Sequence, residues 1–258
     1  MLDQVNSLET LIEPMPDHPI QPGGQRKKQG AFLKILKWGG LALIALPVGF
    51  ILCFRFVPPP ISAFMVARYL DGVFDAERQT TLAYQWVNWE AISPQIMLAV
   101  VAAEDQKFPY HRGFDFTSIA EAIEEQRAGG RVRGASTITQ QVAKNLFLWN
   151  GRSYLRKGLE AYLTLLIEFL WPKRRVLEVY VNIAEFGDGI YGVSAAAERF
   201  FRKQSSVLTR QESALLAAVL PNPQMFKVDS PSAYVRSRSQ HIIRQMQNLG
   251  GTSYLKNL

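Results

Sequence analysis

The chain has 258 residues, of which 48% are hydrophobic and 20% are charged, a balance that excludes a disordered, a collagen-like or a uniformly membrane-embedded protein. Lys and Arg outnumber Asp and Glu by 29 to 22, which favours anionic partners: nucleic acid, lipid headgroups or phosphate-bearing substrates. Cys53 is the single cysteine, so this chain has no intrachain disulfide and no cysteine-based zinc site. The three histidines lie far apart in sequence, and a histidine metal cluster is not expected.

The N-terminal part predicts a membrane anchor. Residues 1–30 are polar and contain several prolines and glycines, so we predict a disordered cytoplasmic tail. A run of 17 uncharged residues follows from Trp38 to Phe54. With its flanks it can cross the roughly 30 Å hydrocarbon core, so we predict a single transmembrane helix within residues 31–57. A cleaved signal peptide is disfavoured because the run begins late and ends in Pro58–Pro60.

Charges flanking this segment indicate its orientation. Five basic residues precede it, whereas only Arg68 lies in the fifteen residues after Val57. By the positive-inside rule the N-terminus is cytoplasmic and residues 58–258 lie outside, which in a bacterial cell envelope is the periplasmic or outer face. No nucleic acid is expected there. Residues 58–258 carry 23 basic and 18 acidic residues, which favours contact with lipid phosphates.

Beyond the prolines, the sequence patterns predict helices. Ser93-Pro94 is typical of a helix start, and the tetrapeptides that begin at Ser118 and Thr209 have the form of capping boxes. Apolar residues recur every three or four positions from Leu155 to Leu170, which indicates a long amphipathic helix.

Two more helices are predicted in the C-terminal part. One begins at Pro172, and the other begins at Ser230-Pro231 and ends at Gly250-Gly251. Strand signals are confined to short stretches near residues 64–90. We therefore predict a mainly α domain over residues 58–258.

Two adjacent carboxylates, Glu104 and Asp105, end the apolar helix that begins at Pro94. The C-terminal end of a helix is electronegative, and partial burial adds to its effect, so the pKa of a carboxyl group is raised there. A carboxylate with a raised pKa suits a general acid or base. A solvated acidic pair at a helix end is the plainer interpretation.

A second polar segment is RGASTITQQVAKN, residues 133–145. Its glycine and small hydroxyl residues precede a predicted helix, where free backbone N–H groups can hold an anion. Helical spacing places Thr137, Gln141, Lys144 and Asn145 on one face. Such a face suits a sugar or a phosphate, although an ordinary exposed face has the same pattern.

Two further motifs follow. Arg156 and Lys157 are spaced to meet Glu160 on one helical turn, as ordinary surface ion pairs also are. Residues 187–192, GDGIYG, match the glycine pattern of a dinucleotide site. That interpretation is rejected because the preceding segment has helical spacing, whereas the fingerprint requires a strand within a βαβ unit.

Taken in order, five segments closely resemble the motif series of the peptidoglycan glycosyltransferases, the biosynthetic murein transglycosylases of glycosyltransferase family 51: EDQKFPYHRGFD, GASTITQQVAKN, RKGLE, KRRVLEVYVN and GDGIYGVSAAAERFF. The resemblance covers residues 85–223. Larger members carry a transpeptidase domain, but the only Ser-x-x-Lys here is Ser253–Lys256, with no Lys-Thr-Gly after it. The chain therefore resembles the monofunctional form. Ala135 departs from the family, which often has glycine there; a negative φ would tolerate alanine.

The resemblance implies a lysozyme-like fold that polymerises lipid II into linear β-1,4 glycan strands with inversion, releasing undecaprenyl pyrophosphate. By match to the motifs, Glu104 is the general base. Glu160 is the second essential carboxylate, which orients cations or a metal ion on the leaving-group side. Lys144, Arg156 and Lys157 are the candidates that stabilise the pyrophosphate.

Other motif positions are implied to bind sugar or to shape the cleft: Asp105, Phe108, His111, Ser136, Thr137, Gln141, Asn145 and Glu178. The resemblance implies no organic cofactor and a divalent cation, Mg²⁺ or Mn²⁺. The expected partners are lipid II, the growing glycan chain, the lipid bilayer and other proteins of cell-wall synthesis or division. An apolar segment consisting of Phe147, Leu148, Trp149 and Tyr154 is predicted either to enter the bilayer or to pack in the core.

Two other functions remain open on the sequence alone. A lytic enzyme of the same fold would cleave glycan strands, which requires a protonated acid and no lipid-phosphate site; Lys144, Arg156 and Lys157 favour synthesis. A membrane-anchored scaffold of the cell-wall machinery would not need its carboxylates and cations, whereas all five motifs are complete here.

Overall fold

The computed structural model describes residues 37–39, 45–74, 82–129, 136–151 and 153–258. The chain divides into two units, residues 1–46 and 47–258. The predicted tail, much of the predicted membrane span and Ala135 lie outside the described residues. Within the described ranges, no helix combines the length and the apolar character needed to cross a membrane. The anchor and the domain boundaries at residues 30 and 57 therefore stay predictions.

The described part of the chain is mainly helical, as predicted. Helix α1 covers residues 45–56. It is followed by α2 (Ala63–Phe74), α3 (Pro94–Glu104), α4 (Phe116–Arg127), α5 (Ile138–Phe147), α6 (Tyr154–Leu170), α7 (Lys173–Ile183), α8 (Val193–Phe201), α9 (Arg210–Val219) and α10 (Ala233–Asn248). Short 3₁₀ helices cover Trp89–Ala91, Ser205–Val207 and Gly251–Asn257.

A small sheet accompanies the helices. Its strands are β1 (Ala83–Tyr84), β2 (Glu185–Gly187) and β3 (Ile190–Tyr191), in the order β1-β3-β2. β3 pairs parallel to β1 and antiparallel to β2. The β2–β3 hairpin was not predicted. Of the region near residues 64–90 where strand signals were found, β1 is a strand, whereas residues 64–74 belong to helix α2. The hairpin turns at Gly189, which has a φ of +72° that glycine adopts without strain.

Helix α3 lies at the centre of the core and positions the candidate site. Residues 96–102 are all buried, because the helix is apolar on every side and packs against α7, α9 and α10. Helix α5 packs against α6 and α7. The carboxyl end of α3 therefore meets the amino end of α5 inside the domain, where the predicted catalytic and anion-binding motifs come together.

Most of the helix-start predictions are confirmed, and one is wrong. Ser93 caps α3 by accepting the N–H of Gln95, and Thr209 forms a capping box with Glu212. Ser118 does not begin a helix: Asp115 caps α4 and accepts the N–H of Ser118 at 3.0 Å. An aspartate three residues upstream is an equally good cap, and it leaves Ser118 inside the first turn.

The helices of the C-terminal part lie close to their predicted positions. Pro172 directly precedes α7. Helix α10 begins two residues later than predicted, because Ser232 accepts the N–H of Val235 and thereby caps it. It ends before Gly250, as expected. Residues 187–192 form the turn and part of the strands of the antiparallel β2–β3 hairpin and not the strand-to-helix turn of a βαβ unit, which agrees with the rejection of a dinucleotide site.

Side chains near the start of α7 hold the end of α1. The indole of Trp171 donates to the Ile51 carbonyl at 2.7 Å. The guanidinium of Arg175 donates to the carbonyls of Phe54 and Val57 at 2.8 and 2.9 Å. The last four carbonyls of a helix have no partner within it, so the bond from Arg175 satisfies that of Phe54. Together the bonds from Trp171 and Arg175 attach the end of α1 to the α6–α7 junction.

Candidate active site

Glu104 is the last residue of α3, and its side chain is only 14% exposed. One carboxylate oxygen, Oε2, accepts the Nε2–H of Gln141 at 2.9 Å, and the other, Oε1, lies 3.4 Å from Nη2 of Arg238. Burial is the largest influence and raises the pKa of Glu104, while Gln141, Arg238 and Lys144 partly offset it. A carboxylate in this environment is a stronger base than an exposed one, as its position in the sequence predicted.

Two cavities lie near this carboxylate, of which one is lined by Glu104 and the other by its hydrogen-bond partner Gln141. Glu104 lines one of about 290 Å³ together with Ser136. Gln141, which is bonded to Glu104, lines a second of about 310 Å³ together with Lys144 and Asn145. The candidate base therefore lines one cavity and is linked to the other through Gln141, an arrangement that suits transfer between two bound substrates.

A buried carboxylate and its cations form the second half of the site. Glu160 is 3% exposed and accepts from Nη1 of Arg156 at 2.9 Å and from Nζ of Lys157 at 2.5 Å. Burial is the largest influence on Lys144 and lowers its pKa; Glu104 and Glu160 both act in the opposite direction. Lys144 therefore interacts electrostatically with both carboxylates. The three positive charges of Lys144, Arg156 and Lys157 outnumber the single negative charge of Glu160. The net positive charge that remains suits a pyrophosphate.

The residues present do not fit a resident divalent cation. Across the described residues, no three His, Cys, Asp or Glu side chains are grouped as metal ligands. Both oxygens of Glu160 are engaged by cations, and a cationic environment repels a metal ion. The expected Mg²⁺ or Mn²⁺ stays a prediction, and no step below depends on it.

Several predicted binding residues hold the loop between α3 and α4 against the start of α5. Asp105 Oδ2 accepts the N–H of Ile138 at 3.0 Å, and Oδ1 lies 2.9 Å from Nε2 of His111. The Thr137 hydroxyl donates to the carbonyl of Gly113 at 2.6 Å and accepts the N–H of Gln140, the third residue of α5. Phe108 is fully buried. These contacts shape the cleft, which was one of the two roles predicted for them.

Glu178 lines neither of the two cavities. Its Oε1 accepts the N–H of Trp89 at 2.7 Å, and its Oε2 accepts from Arg175 at 2.6 Å. Arg175 is the residue that holds the end of α1. No contact places Glu178 beside Glu104, so its predicted role in binding sugar or in shaping the cleft stays a prediction.

Sequence reasoning missed two neighbours of Glu104. Arg238 lies on α10, beyond the motif series, and the neighbouring arginines Arg236 and Arg244 gave it no distinguishing signal in the sequence. Tyr180 is buried in α7, and its hydroxyl donates to Oε1 of Gln141 at 3.0 Å. Tyr180 lies within the motif segment KRRVLEVYVN, but a tyrosine at helical spacing among apolar residues does not reveal a polar partner on another helix.

Comparisons with known proteins agree with this geometry. The family profile described as Transglycosylase matches residues 72–247, and the chain belongs to that family. It is 57% identical over 209 residues to a biosynthetic peptidoglycan transglycosylase of Shigella boydii, covering 81% of this chain and 86% of that protein. Proteins with the same description from Xanthomonas campestris and Xylella fastidiosa are 55% and 52% identical, over 80% and 83% of this chain and 84% and 88% of theirs. The family predicted from the motifs is confirmed.

Proposed function

We propose that the protein is a peptidoglycan glycosyltransferase with a lysozyme-like fold, which polymerises lipid II into linear β-1,4 glycan strands. The observation that carries the proposal is the buried carboxylate of Glu104, which lines one cavity and is hydrogen-bonded to Gln141 in the wall of a second cavity that the cation Lys144 also borders. Membership of the transglycosylase family and relatives described as biosynthetic peptidoglycan transglycosylases support it.

In the proposed reaction, the 4-hydroxyl of an acceptor lipid II attacks the anomeric carbon of the growing chain. Glu104 takes the hydroxyl proton as the new C–O bond forms. The bond from the anomeric carbon to the pyrophosphate oxygen breaks, its electron pair leaves with undecaprenyl pyrophosphate, and the configuration inverts. Lys144, Arg156 and Lys157 compensate the charge that develops on the leaving group, so it requires no proton donor.

The test is polymerisation of labelled lipid II by the detergent-solubilised full chain. We expect long glycan strands that lysozyme digests, because the product is a β-1,4 polymer of the same sugars. The absence of polymer over a range of detergents and divalent cations would overturn the proposal. Cleavage of preformed glycan under the same conditions would assign the protein to the lytic class instead.

We further propose that the chain is a single-pass inner-membrane protein whose catalytic domain lies on the periplasmic side.

The apolar residues that begin at the end of α5 were predicted either to enter the bilayer or to pack in the core, and they differ in their surroundings. Phe147 packs against Phe54, with ring centroids 6.3 Å apart, and Leu148 is buried. Trp149 and Tyr154 are exposed, and exposed large aromatic residues are typical of side chains that enter the membrane interface. We assign these two to contact with the bilayer that holds the lipid substrate.

Replacing Tyr154 by serine is expected to lower the rate on lipid II in vesicles several-fold more than the rate in detergent micelles. The physical reason is the loss of apolar area that a bilayer buries and a micelle replaces readily. Tyr234→Ser is the matched control, because Tyr234 is an exposed tyrosine on α10. Equal losses in vesicles and micelles for Tyr154→Ser would contradict the assignment.

A further inference from the structure

A chain of hydrogen bonds across three helices ends at Glu104. It begins at Tyr180 of α7, which is 1% exposed. The Tyr180 hydroxyl donates to Oε1 of Gln141 on α5 at 3.0 Å. The other end of the same amide, Nε2, donates to Oε2 of Glu104 at 2.9 Å.

The amide group of Gln141 has an accepting end and a donating end, so its orientation affects the protonation of Glu104. With Oε1 bonded to Tyr180, the NH₂ group faces Glu104 and favours the ionised carboxylate, which can only accept. The reversed amide would direct Oε1 at that carboxylate and repel its charge. It would also remove the single acceptor that the Tyr180 hydroxyl has among the described residues, which is costly in a buried position.

The other groups that face Glu104 do not orient this amide. Arg238 of α10 and Lys144 of α5 favour the ionised carboxylate through their charge, and Asp105, the next residue, disfavours it. Burial is the largest influence on Tyr180 and raises its pKa well above the usual value, and the charges of Glu104 and Asp105 raise it further. Tyr180 therefore keeps its proton and remains a donor throughout the working range of pH.

We propose that Tyr180 is a positioning residue, which fixes the orientation of the Gln141 amide and so keeps Glu104 ionised for its work as a base. Tyr180 borders the second cavity, but in this role its hydroxyl acts through the Gln141 amide and not on the reacting atoms. The inference deepens the proposed function and rests on it, since the base is observed through glycan synthesis.

The experiment is the pH profile of kcat/KM on labelled lipid II for the full-length Tyr180→Phe protein. Without the hydroxyl, the amide can reverse when Glu104 is protonated and accept a hydrogen bond from its carboxyl group. The neutral form is thereby stabilised, and the pKa of Glu104 rises. A base works only above its pKa, so the acid limb of the profile moves to higher pH. We expect a shift of about one pH unit, hence about tenfold slower turnover on the acid side and a nearly unchanged rate on the alkaline side.

Tyr162→Phe is the matched control. Tyr162 lies on α6, and its buried hydroxyl has no hydrogen-bond partner within the described part of the chain, so its removal is expected to leave the profile in place. A profile for Tyr180→Phe that is unchanged, or lowered equally at every pH, would overturn the proposal. A wild-type chain that makes no polymer at any pH would instead overturn the proposed function.

A double-mutant cycle provides the second measurement. Gln141→Leu removes the amide and is expected to shift the acid limb at least as far as Tyr180→Phe does. Adding Tyr180→Phe to Gln141→Leu is expected to cause no further shift, because the hydroxyl acts only through the amide. A further shift in the double variant would overturn the proposal. If Tyr180→Phe lowers the melting temperature by more than about 4 °C, Tyr180→Met serves as the second hydroxyl-free variant in the same cycle.

Discussion

The Glu104→Gln protein is expected to polymerise lipid II about 1,000-fold more slowly than the wild type, within the range that loss of a general base produces. The amide keeps the shape of the side chain but cannot take the proton of the acceptor hydroxyl. The measurement is the initial rate of polymer formation at saturating lipid II. Glu198→Gln is the control, because Glu198 is exposed on α8 and lines neither described cavity.

The same variant is expected to retain the stability of the wild type at neutral pH. Burial raises the pKa of Glu104 in the folded chain. A carboxyl group whose pKa is higher in the folded chain than in the unfolded chain contributes stability at a pH below its pKa in the unfolded chain. This contribution is lost as pH rises through its pKa in the folded chain, so at pH 7 the ionised group destabilises the folded chain. A neutral glutamine does not have this destabilising effect. An inactive protein with an undiminished melting temperature would therefore indicate lost chemistry, whereas a wild-type rate would eliminate Glu104 as the base.

The second large effect is expected at the cation cluster. Lys144→Ala should lower kcat/KM about 100-fold, the magnitude found when one donor to a developing negative charge is removed. Burial lowers the pKa of Lys144, so the folded chain already disfavours its charge, and the melting temperature should not fall. The check is kcat/KM together with thermal unfolding.

Arg156→Ala should give a similar loss of kcat/KM and also a lower melting temperature. Arg156 donates to the buried carboxylate of Glu160, and removal of one partner leaves that carboxylate less compensated. Lys203→Ala, which removes a partly exposed ion pair with Glu212, is the control that should leave activity unchanged. Unaltered turnover in Lys144→Ala or Arg156→Ala would remove that residue from the phosphate site.

Features that depend on residues close together in the sequence could be predicted, whereas contacts between distant helices could not. The cap at Ser93 and the capping box at Thr209 were predictable because each depends on residues within one helical turn. The false start at Ser118 arose within the same local rule, since Asp115 competes for the same N–H group. The ion pairs of Glu160 were predictable because Arg156 and Lys157 lie on its own turn.

The sequence by itself determined the helical class, the order of the motifs and the family, because these depend on local periodicity and on short residue strings. Only the tertiary structure decided which motif residues face the cavities. It places Arg238 beside Glu104 across 134 positions of sequence, brings Gln141 and Tyr180 into one hydrogen-bond chain, and directs Glu178 towards Arg175. The physical reason is that a side chain's partner across helices depends on how those helices pack, and neither spacing nor composition encodes that contact directly.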